Sequence, residues 1–405
     1  LEGRPLPLHA GPSDIRAEGG PVITRLAISG YRSIRDLVLA PGRLTIVTGA
    51  NGAGKSSLYR SLHLLADVAQ GRIIQSLARE GGLNSTLWAG PEKFSRAMKA
   101  GETPIEPLAR QSRKALKLGF ASKTYGYAID LGPTSNATEA FPLDPQIKLE
   151  AQWTGEHLGH ANLFAERRGP SARIRGENGE WRQAAASLAG VDSMMTHCAD
   201  LREAYDLSIL RETVRRWRFY DNLRSDREAP ARRPQIGTFT PALADDGADL
   251  AAALATILEV GDADGLGETI DDAFSSSTIN ISASDGYVET LMRQHGLLRP
   301  LRATELSEGT LRYLLLVAAL LTPRPPPLMV FNEPEASLHP NLIGALARLM
   351  RKVSNETQLF VVSHSAQLVS ELRKDDCCVE IALEKHLGET LAPEHDPPKW
   401  RWPSR

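Results

Sequence analysis

Cysteine is nearly absent, with three residues in 405, two of them the adjacent pair Cys377 and Cys378. That excludes a disulfide framework and a cysteine-built zinc site, and it fits a reducing, cytoplasmic setting. A charge excess is missing too: 47 Lys plus Arg stand against 49 Asp plus Glu. Any surface for nucleic acid must therefore be a local patch on a balanced chain. Long apolar runs are lacking. The longest, Tyr313 to Leu321, is nine residues, whereas a membrane-spanning helix takes about 20. The first twenty residues scatter Gly and Pro without an apolar stretch and read as a flexible tail rather than a secretion signal. No sustained heptads and no internal repeat of roughly 20 to 50 residues are visible, so a long coiled coil or solenoid is excluded.

What is present is an ordinary globular composition, 42% hydrophobic, in a chain long enough for roughly two or three domains. From Val22 three short runs read as strands: Val22 to Ser29, Ile34 to Leu39 and Leu44 to Thr48. A helical pattern follows from Gly54 to Ala69, with Leu58, Leu62, Leu65 and Ala69 at spacings of three and four. Residues 113 to 182 alternate strand-like pieces, Tyr125 to Leu131 and Gln146 to Trp153, with turn signals such as Asn178-Gly179, which predicts antiparallel hairpins. The stretch Ala199 to Arg227 reads as helical, and another helix is expected from Asp249 to Leu258. Beyond Leu297 the pattern alternates: helix Ser307 to Leu321, strand Leu328 to Phe331, helix Asn341 to Val353, strand Gln358 to Val362, and a strand at Val379 to Leu383. Alternation of this kind predicts an α/β fold with a parallel sheet.

The segment Gly49-Ala50-Asn51-Gly52-Ala53-Gly54-Lys55-Ser56 matches the phosphate-loop pattern in full, after a predicted strand and at the opening of a predicted helix. Its glycines let backbone N–H groups turn inward on phosphates, Lys55 suits the β- and γ-phosphates, and the Ser56 hydroxyl suits Mg²⁺. A plain Gly-rich turn would not need both flanks correct. Far along the chain, Leu328-Met329-Val330-Phe331 ends in Asn332-Glu333-Pro334-Glu335, where an ATPase needs a carboxylate for the attacking water. Glu333 is the candidate base; alone it would read as a surface Glu after a buried strand. Leu306-Ser307-Glu308-Gly309-Thr310 opens a helix and could be a simple N-cap, and Ser363-His364 ends another buried strand with a histidine that alone would read as structural.

Taken in order, these motifs resemble the ABC-class ATPases of SMC and RecF type, and among them the bacterial RecF-type ATPases related to the ATPase domain of OLD proteins. The opening Ile28-Ser29-Gly30-Tyr31-Arg32-Ser33-Ile34 and the Ser337-Leu338-His339-Pro340 stretch are part of that likeness, which covers residues 22 to 70 and 297 to 385. The resemblance implies a P-loop NTPase with an ABC-type head. Its N-terminal lobe with an antiparallel β subdomain would take residues 22–190, an inserted mainly helical lobe 191–296 and a C-terminal lobe 297–390, with tails at 1–21 and 391–405. It implies ATP held by Gly49, Ala50, Asn51, Gly52, Ala53, Gly54, Lys55, Ser56 and Ser57, with Arg32 beside them. Glu333 would be the base, with Lys55 and His364 also in the catalytic set, His364 sensing the γ-phosphate. Ser307 and Gly309 would touch the nucleotide of a partner subunit, so that a homodimer closes on ATP, with Ala336 to Pro340 in the exchanged loop. Gln75 would link the lobes. Mg²⁺ would fall to Ser56 and to Asn332, where the family has an acidic residue; that departure implies weaker metal binding and slow turnover.

Between Lys55 and Ser307 there is room for an inserted lobe. From Arg202 to Arg233 arginines outnumber acidic residues and are interleaved with Trp217, Phe219 and Tyr220. This could be a surface for double-stranded DNA, or an amphipathic segment whose aromatics face the core and whose arginines form ion pairs. Asp262-Ala263-Asp264-Gly265 lacks the rest of a calcium loop, and His157 with His160 lacks further ligands, so no metal is expected at either. Too little chain follows His364 for the separate nuclease domain that OLD relatives carry. The functional expectation is an Mg-dependent ATPase acting on DNA in repair, recombination or defence. The alternatives are an ATP-dependent module regulating a partner nuclease or effector, and the nucleotide-binding subunit of a transporter, against which the long insertion speaks.

Overall fold

The computed structural model describes residues 23–91, 115–134, 144–176, 178–200, 202 and 204–404; the expected tail 1–21 lies outside them. The chain enters as an antiparallel hairpin, β1 (Arg25–Tyr31) and β2 (Ile34–Leu39), and continues into β3 (Leu44–Gly49), α1 (Lys55–Ala69) and α2 (Ile73–Arg79). Six further strands follow: β4 (Leu116–Ala121), β5 (Tyr125–Pro133), β6 (Pro145–Thr154), β7 (Leu163–Arg168), β8 (Ser171–Arg175) and β9 (Trp181–Ala185). They join the opening hairpin in one antiparallel sheet of order β2-β1-β4-β5-β6-β7-β8-β9. The hairpins expected over 113 to 182 therefore continue into the entry strands, Leu118 pairing with Ile28 and Phe120 with Leu26. The Asn178-Gly179 turn lies between β8 and β9, with Gly179 at φ 79°, a left-handed conformation that glycine adopts without a Cβ clash.

The next elements are α3 (Tyr205–Arg215), β10 (Arg218–Tyr220), β11 (Gln235–Ile236), α4 (Leu250–Val260), α5 (Ala263–Ala273), β12 (Thr278–Ser284), β13 (Tyr287–Arg293) and β14 (Leu301–Arg302). The helix expected to reach Arg227 stops at Arg215, and Arg218–Tyr220 is a strand parallel to a later one. The physical reason is two-sided burial. Phe219 and Tyr220 are consecutive, both buried, and belong to different hydrophobic clusters, which a strand allows and one helical stripe does not. Strands β11 to β14 form a small antiparallel sheet, so residues 191–296 carry strands as well as their more numerous helical residues.

The last third supplies α6 (Glu308–Leu320), β15 (Leu328–Asn332), α7 (Pro340–Val353), β16 (Gln358–Val362), α8 (Ala366–Leu372), β17 (Cys378–His386) and β18 (Glu389–Leu391). A second sheet has the order β10-β15-β16-β3-β17-β18, parallel from β10 to β17, with β18 folded back antiparallel on β17. Its strands are apolar on both faces. Leu328, Val330, Phe360, Val362 and Val47 pack into the cluster that contains Leu58, Leu62 and Leu65 of α1 and the inner side chains of the antiparallel sheet. Met329, Phe331, Leu359, Val361, Leu44 and Ile46 pack on the other side, against α4, α6 and α7. Burial of alternate residues on opposite faces is what a parallel sheet covered on both sides demands. Among the described residues no helix is long and apolar enough to cross a membrane.

Candidate functional site

The phosphate-loop segment leaves the carboxyl end of β3, which is flanked by β16 and β17. Its turn requires glycine at two places. Gly49 has φ 143°, where a Cβ would run into the Leu383 carbonyl, and Gly54 has φ 110°, where a Cβ would meet the Thr390 side chain. Helix α1 begins at Lys55, so the loop ends on a helix N-terminus with its unpaired N–H groups. Lys55 is buried, and its Nζ donates to the carbonyls of Gly49 (2.5 Å) and Ala50 (2.9 Å). Burial lowers its pKa, and the charge of Glu333 acts the other way. Asn51, Gly52 and Ser56 are exposed at the loop surface, and Ser57 is half-buried.

Strand order brings the second half of the site to the same edge. β15, β16 and β3 are neighbours, so Asn332, Ser363 and Gly49 leave adjacent parallel strands at their carboxyl ends. Glu333 follows with φ 49°, sparsely populated for a residue with a Cβ, and its N–H donates to the Val362 carbonyl at 2.8 Å. Its carboxylate oxygen lies 3.2 Å from His364 Nε2, with both side chains partly exposed. Asn332 is half-buried at the strand end. Glu333, His364, Lys55 and the loop thus share one edge of one sheet, although Lys55 is far from the other two in the chain.

The loop after β15 also meets the start of α6. Ser307 caps that helix, its Oγ accepting from Thr310 N at 3.1 Å. Gly309 packs so closely on the loop that a Cβ there would sit 2.9 Å from the Ser337 carbonyl oxygen. Ser337 itself has φ 63°, and His339 caps α7. Ala336 to Pro340 therefore lies against the Ser307–Gly309 turn within this chain.

Arg32 is engaged elsewhere. Its Nε and Nη2 donate to Glu80 at 2.8 and 2.6 Å, and the Tyr31 hydroxyl donates to the same carboxylate. The neighbouring Ser33 makes the link toward the phosphate loop instead. Thr390 N donates to the Ser33 carbonyl at 2.7 Å, and Thr390 Oγ1 donates to the Ala53 carbonyl (2.9 Å) while accepting from the Ser33 hydroxyl (2.8 Å). Arg35 of β2 pairs at 2.9 Å with Glu389, the residue before Thr390 on β18. Sequence reasoning missed Thr390 and Glu389; the only signal was Leu387-Gly388, which turns the β17–β18 hairpin at φ 49° and 83°. Gln75 is exposed on α2. Glu335 was also missed as a functional residue, although its carboxylate accepts three hydrogen bonds from the segment Ser363–Ser365.

The arginine-rich segment takes the packing alternative. Trp217, Phe219 and Tyr220 are buried. Arg211 and Arg215 pair with Glu212, Arg224 with Asp226 and Arg233 with Glu228. Arg232 is buried and donates to the carbonyls of Ser225, Asp226, Ala303 and Leu306. Asp262 serves as the N-cap of α5, accepting from Gly265 N. Among the described residues no group of three or more His, Cys, Asp or Glu could hold a metal ion. The Ser56 hydroxyl and the Asn332 amide carbonyl are of the oxygen-donor chemistry that a hard cation takes.

A family model described as "AAA domain, putative AbiEii toxin, Type IV TA system" matches residues 44–370. Among solved structures, an Smc head bound to the C-winged helix domain of ScpA shares 12% identity at a TM-score of 0.46, covering 91% of this chain and 97% of that one. The SMC head domain from Thermotoga maritima shares 13% identity at 0.41, with 91% and 97% covered. An Smc head with an extended coiled coil, bound to the C-terminal domain of ScpA and derived from Pyrococcus furiosus, shares 12% at 0.45, with 92% and 97% covered. No curated protein matches the chain.

Proposed function

We propose, because this chain belongs to the AAA-domain family matched over residues 44–370, that it binds ATP in the loop Gly49–Ser57, hydrolyses it, and forms a homodimer when ATP is bound. The observation that carries hydrolysis is the Glu333–His364 contact of 3.2 Å, set at the end of the strand next but one to that of the phosphate loop. Loop N–H groups and the α1 N-terminus favour the phosphate charge, and Lys55 exchanges its carbonyl partners for phosphate oxygens. Glu333 takes the proton of the attacking water, and His364 holds that carboxylate in place. Mg²⁺ fits the Ser56 hydroxyl and the Asn332 carbonyl, and when bound it neutralises developing charge on the phosphates. Ser307 and Gly309 complete the site of a second copy, the feature that makes ATP a dimerising ligand.

Action on double-stranded DNA is part of the proposal through the RecF-type motif order alone, since the arginines of 211–233 named above are occupied by carboxylates and carbonyls. A second reading, a nucleotide-dependent regulator of a partner nuclease or effector, is favoured by Asn332, which lacks the formal charge of an acidic metal ligand. The deciding experiment is steady-state ATP turnover with Mg²⁺, with and without double-stranded DNA, using Glu333→Gln as the blank. Turnover above that blank supports the ATPase, and stimulation by DNA supports the DNA reading. Tight ATP binding with turnover no higher than Glu333→Gln supports the regulator instead.

A further inference from the structure

The segment after β16 is held from two sides. Ser363 N donates to the Val47 carbonyl at 3.1 Å, fixing the strand end to β3. On the other side Glu335 Oε1 accepts from Ser363 Oγ at 2.7 Å, from His364 N at 2.9 Å and from Ser365 N at 3.0 Å. Ser363 Oγ itself accepts from Ser365 N at 3.0 Å, closing a small ring of bonds around the carboxylate oxygen. Two successive backbone N–H groups aimed at one anionic oxygen form a nest, and charge-assisted bonds of this kind are roughly twice as strong as neutral ones. The second oxygen, Oε2, is buried and has no hydrogen-bond partner among the described residues. A carboxylate accepts that desolvation only where its other oxygen is strongly bound, and the charge of the nearby buried Arg312 on α6 is felt at the same place.

Glu333 and Glu335 leave the same strand with the buried Pro334 between them. One carboxylate meets the His364 ring, the other meets the His364 main chain. Proline fixes its own φ, which limits how the backbone between the two glutamates can turn, and Glu333 before it sits at φ 49°. The histidine is thereby gripped at both ends by one three-residue element.

We propose that Glu335 is a positioning residue for hydrolysis: its carboxylate fixes the backbone at Ser363–Ser365 so that the His364 ring meets Glu333. This deepens the ATPase reading and rests on it for its effect on turnover. Glu335→Ala removes the anchor and leaves nucleotide contacts in the phosphate loop untouched. The expected result is a kcat lower by about tenfold or more with the ATP Kd within about twofold of the parent, the signature of lost transition-state organisation rather than lost binding. Glu335→Gln keeps an acceptor oxygen without the charge, and its kcat falls between the two. Combined with His364→Ala, Glu335→Ala produces no further loss, because it acts only through that histidine. Losses that multiply in the double variant, or a parallel fall in ATP affinity and Tm that explains the whole effect, overturn the proposal. Hydrogen exchange of the peptide covering residues 362–366 supplies a readout independent of turnover: the His364 and Ser365 amides exchange faster in Glu335→Ala. If the parent protein hydrolyses no ATP, the ATPase reading fails by itself, and unchanged exchange at those two amides then sinks the role of Glu335 as well.

Discussion

His63 and Asp67 stand one turn apart on α1, the histidine Nδ1 3.0 Å from a carboxylate that is almost fully buried. Arg72 and Ser76 donate to the same carboxylate. Burial alone would discharge both groups, but the hydrogen bonds and charges outweigh it. His63 is raised from its ordinary 6.5, opposed by desolvation and driven by Asp67. Asp67 is lowered from 3.8, opposed by desolvation and driven by His63, Ser76 and Arg72. A raised histidine stabilises below its unfolded value and loses that contribution as pH rises through the folded value. A depressed aspartate does the reverse, losing its share as pH falls. Both contributions are complete only between the two ordinary values, so His63→Ala lowers Tm most near about pH 5 to 6 and least once the pH has risen through the raised folded value of His63. A Tm difference that is flat across that range removes the ion pair from the account. At the sheet edge the corresponding test is Asn332→Asp, which lowers the Mg²⁺ concentration needed for half-maximal turnover by adding a formal charge to the donor set. An unchanged Mg²⁺ titration would show that the amide is not what limits metal binding.

The hairpin β17–β18 gives the phosphate loop a support that no motif announces. Thr390 is fully buried, bonds Ser33 and Ala53, and fills the space that a side chain at position 54 would need. Gly54→Ala therefore faces both φ 110° and a clash with Thr390, and ATP affinity falls by about tenfold or more, a cost of the size that such backbone strain carries. Gly52 is open to solvent on its Cβ side, so Gly52→Ala, strained only by its φ of 78°, loses less. Isothermal titration of the two variants compares them directly. The elements that were readable ahead of the structure share one property: each shows its period within its own span. Lys55–Ala69 and Pro340–Val353 have apolar stripes, and in Gln358–Val362 the four residues after Gln358 are all apolar. Arg218–Tyr220 was misread because three residues cannot display a period and the arginines around them suit a helix as well. Its strand character comes from β15, whose Met329–Phe331 it pairs with more than 100 residues later. The candidate site divides the same way. Lys55, Glu333 and His364 carry local motifs, whereas Glu335 and Thr390 take their importance from partners 28 to 357 positions away.

At the scale of the whole molecule, Ser307 is exposed and Gly309 rests on the loop Ala336 to Pro340. If a second copy completes the nucleotide site there, Glu333→Gln with Mg-ATP sediments as a dimer, and the further change Ser307→Arg returns it to monomer without loss of ATP binding. A dimer that persists without nucleotide, or one that survives Ser307→Arg, would place the interface elsewhere.

The strand that leads into the phosphate loop has as its two neighbours β16 and β17, both drawn from residues after 357. A buried side chain near the start of β16 repeats the pattern: Gln358 accepts from Ile23 N and donates to the Ile23 and Gly42 carbonyls, each at 2.8 Å. On the ribosome, then, residues 44 to 69 emerge long before anything exists to flank them. An apolar strand, an unpaired edge and a loop with no walls must wait for most of the chain to be made, a delay that exposes aggregation-prone surface to the translation-time environment. Nucleotide cannot assist that wait, since a chain halted after Val353 has the phosphate-loop residues but neither strand that shapes them. The order of synthesis makes ATP binding one of the last properties this protein acquires.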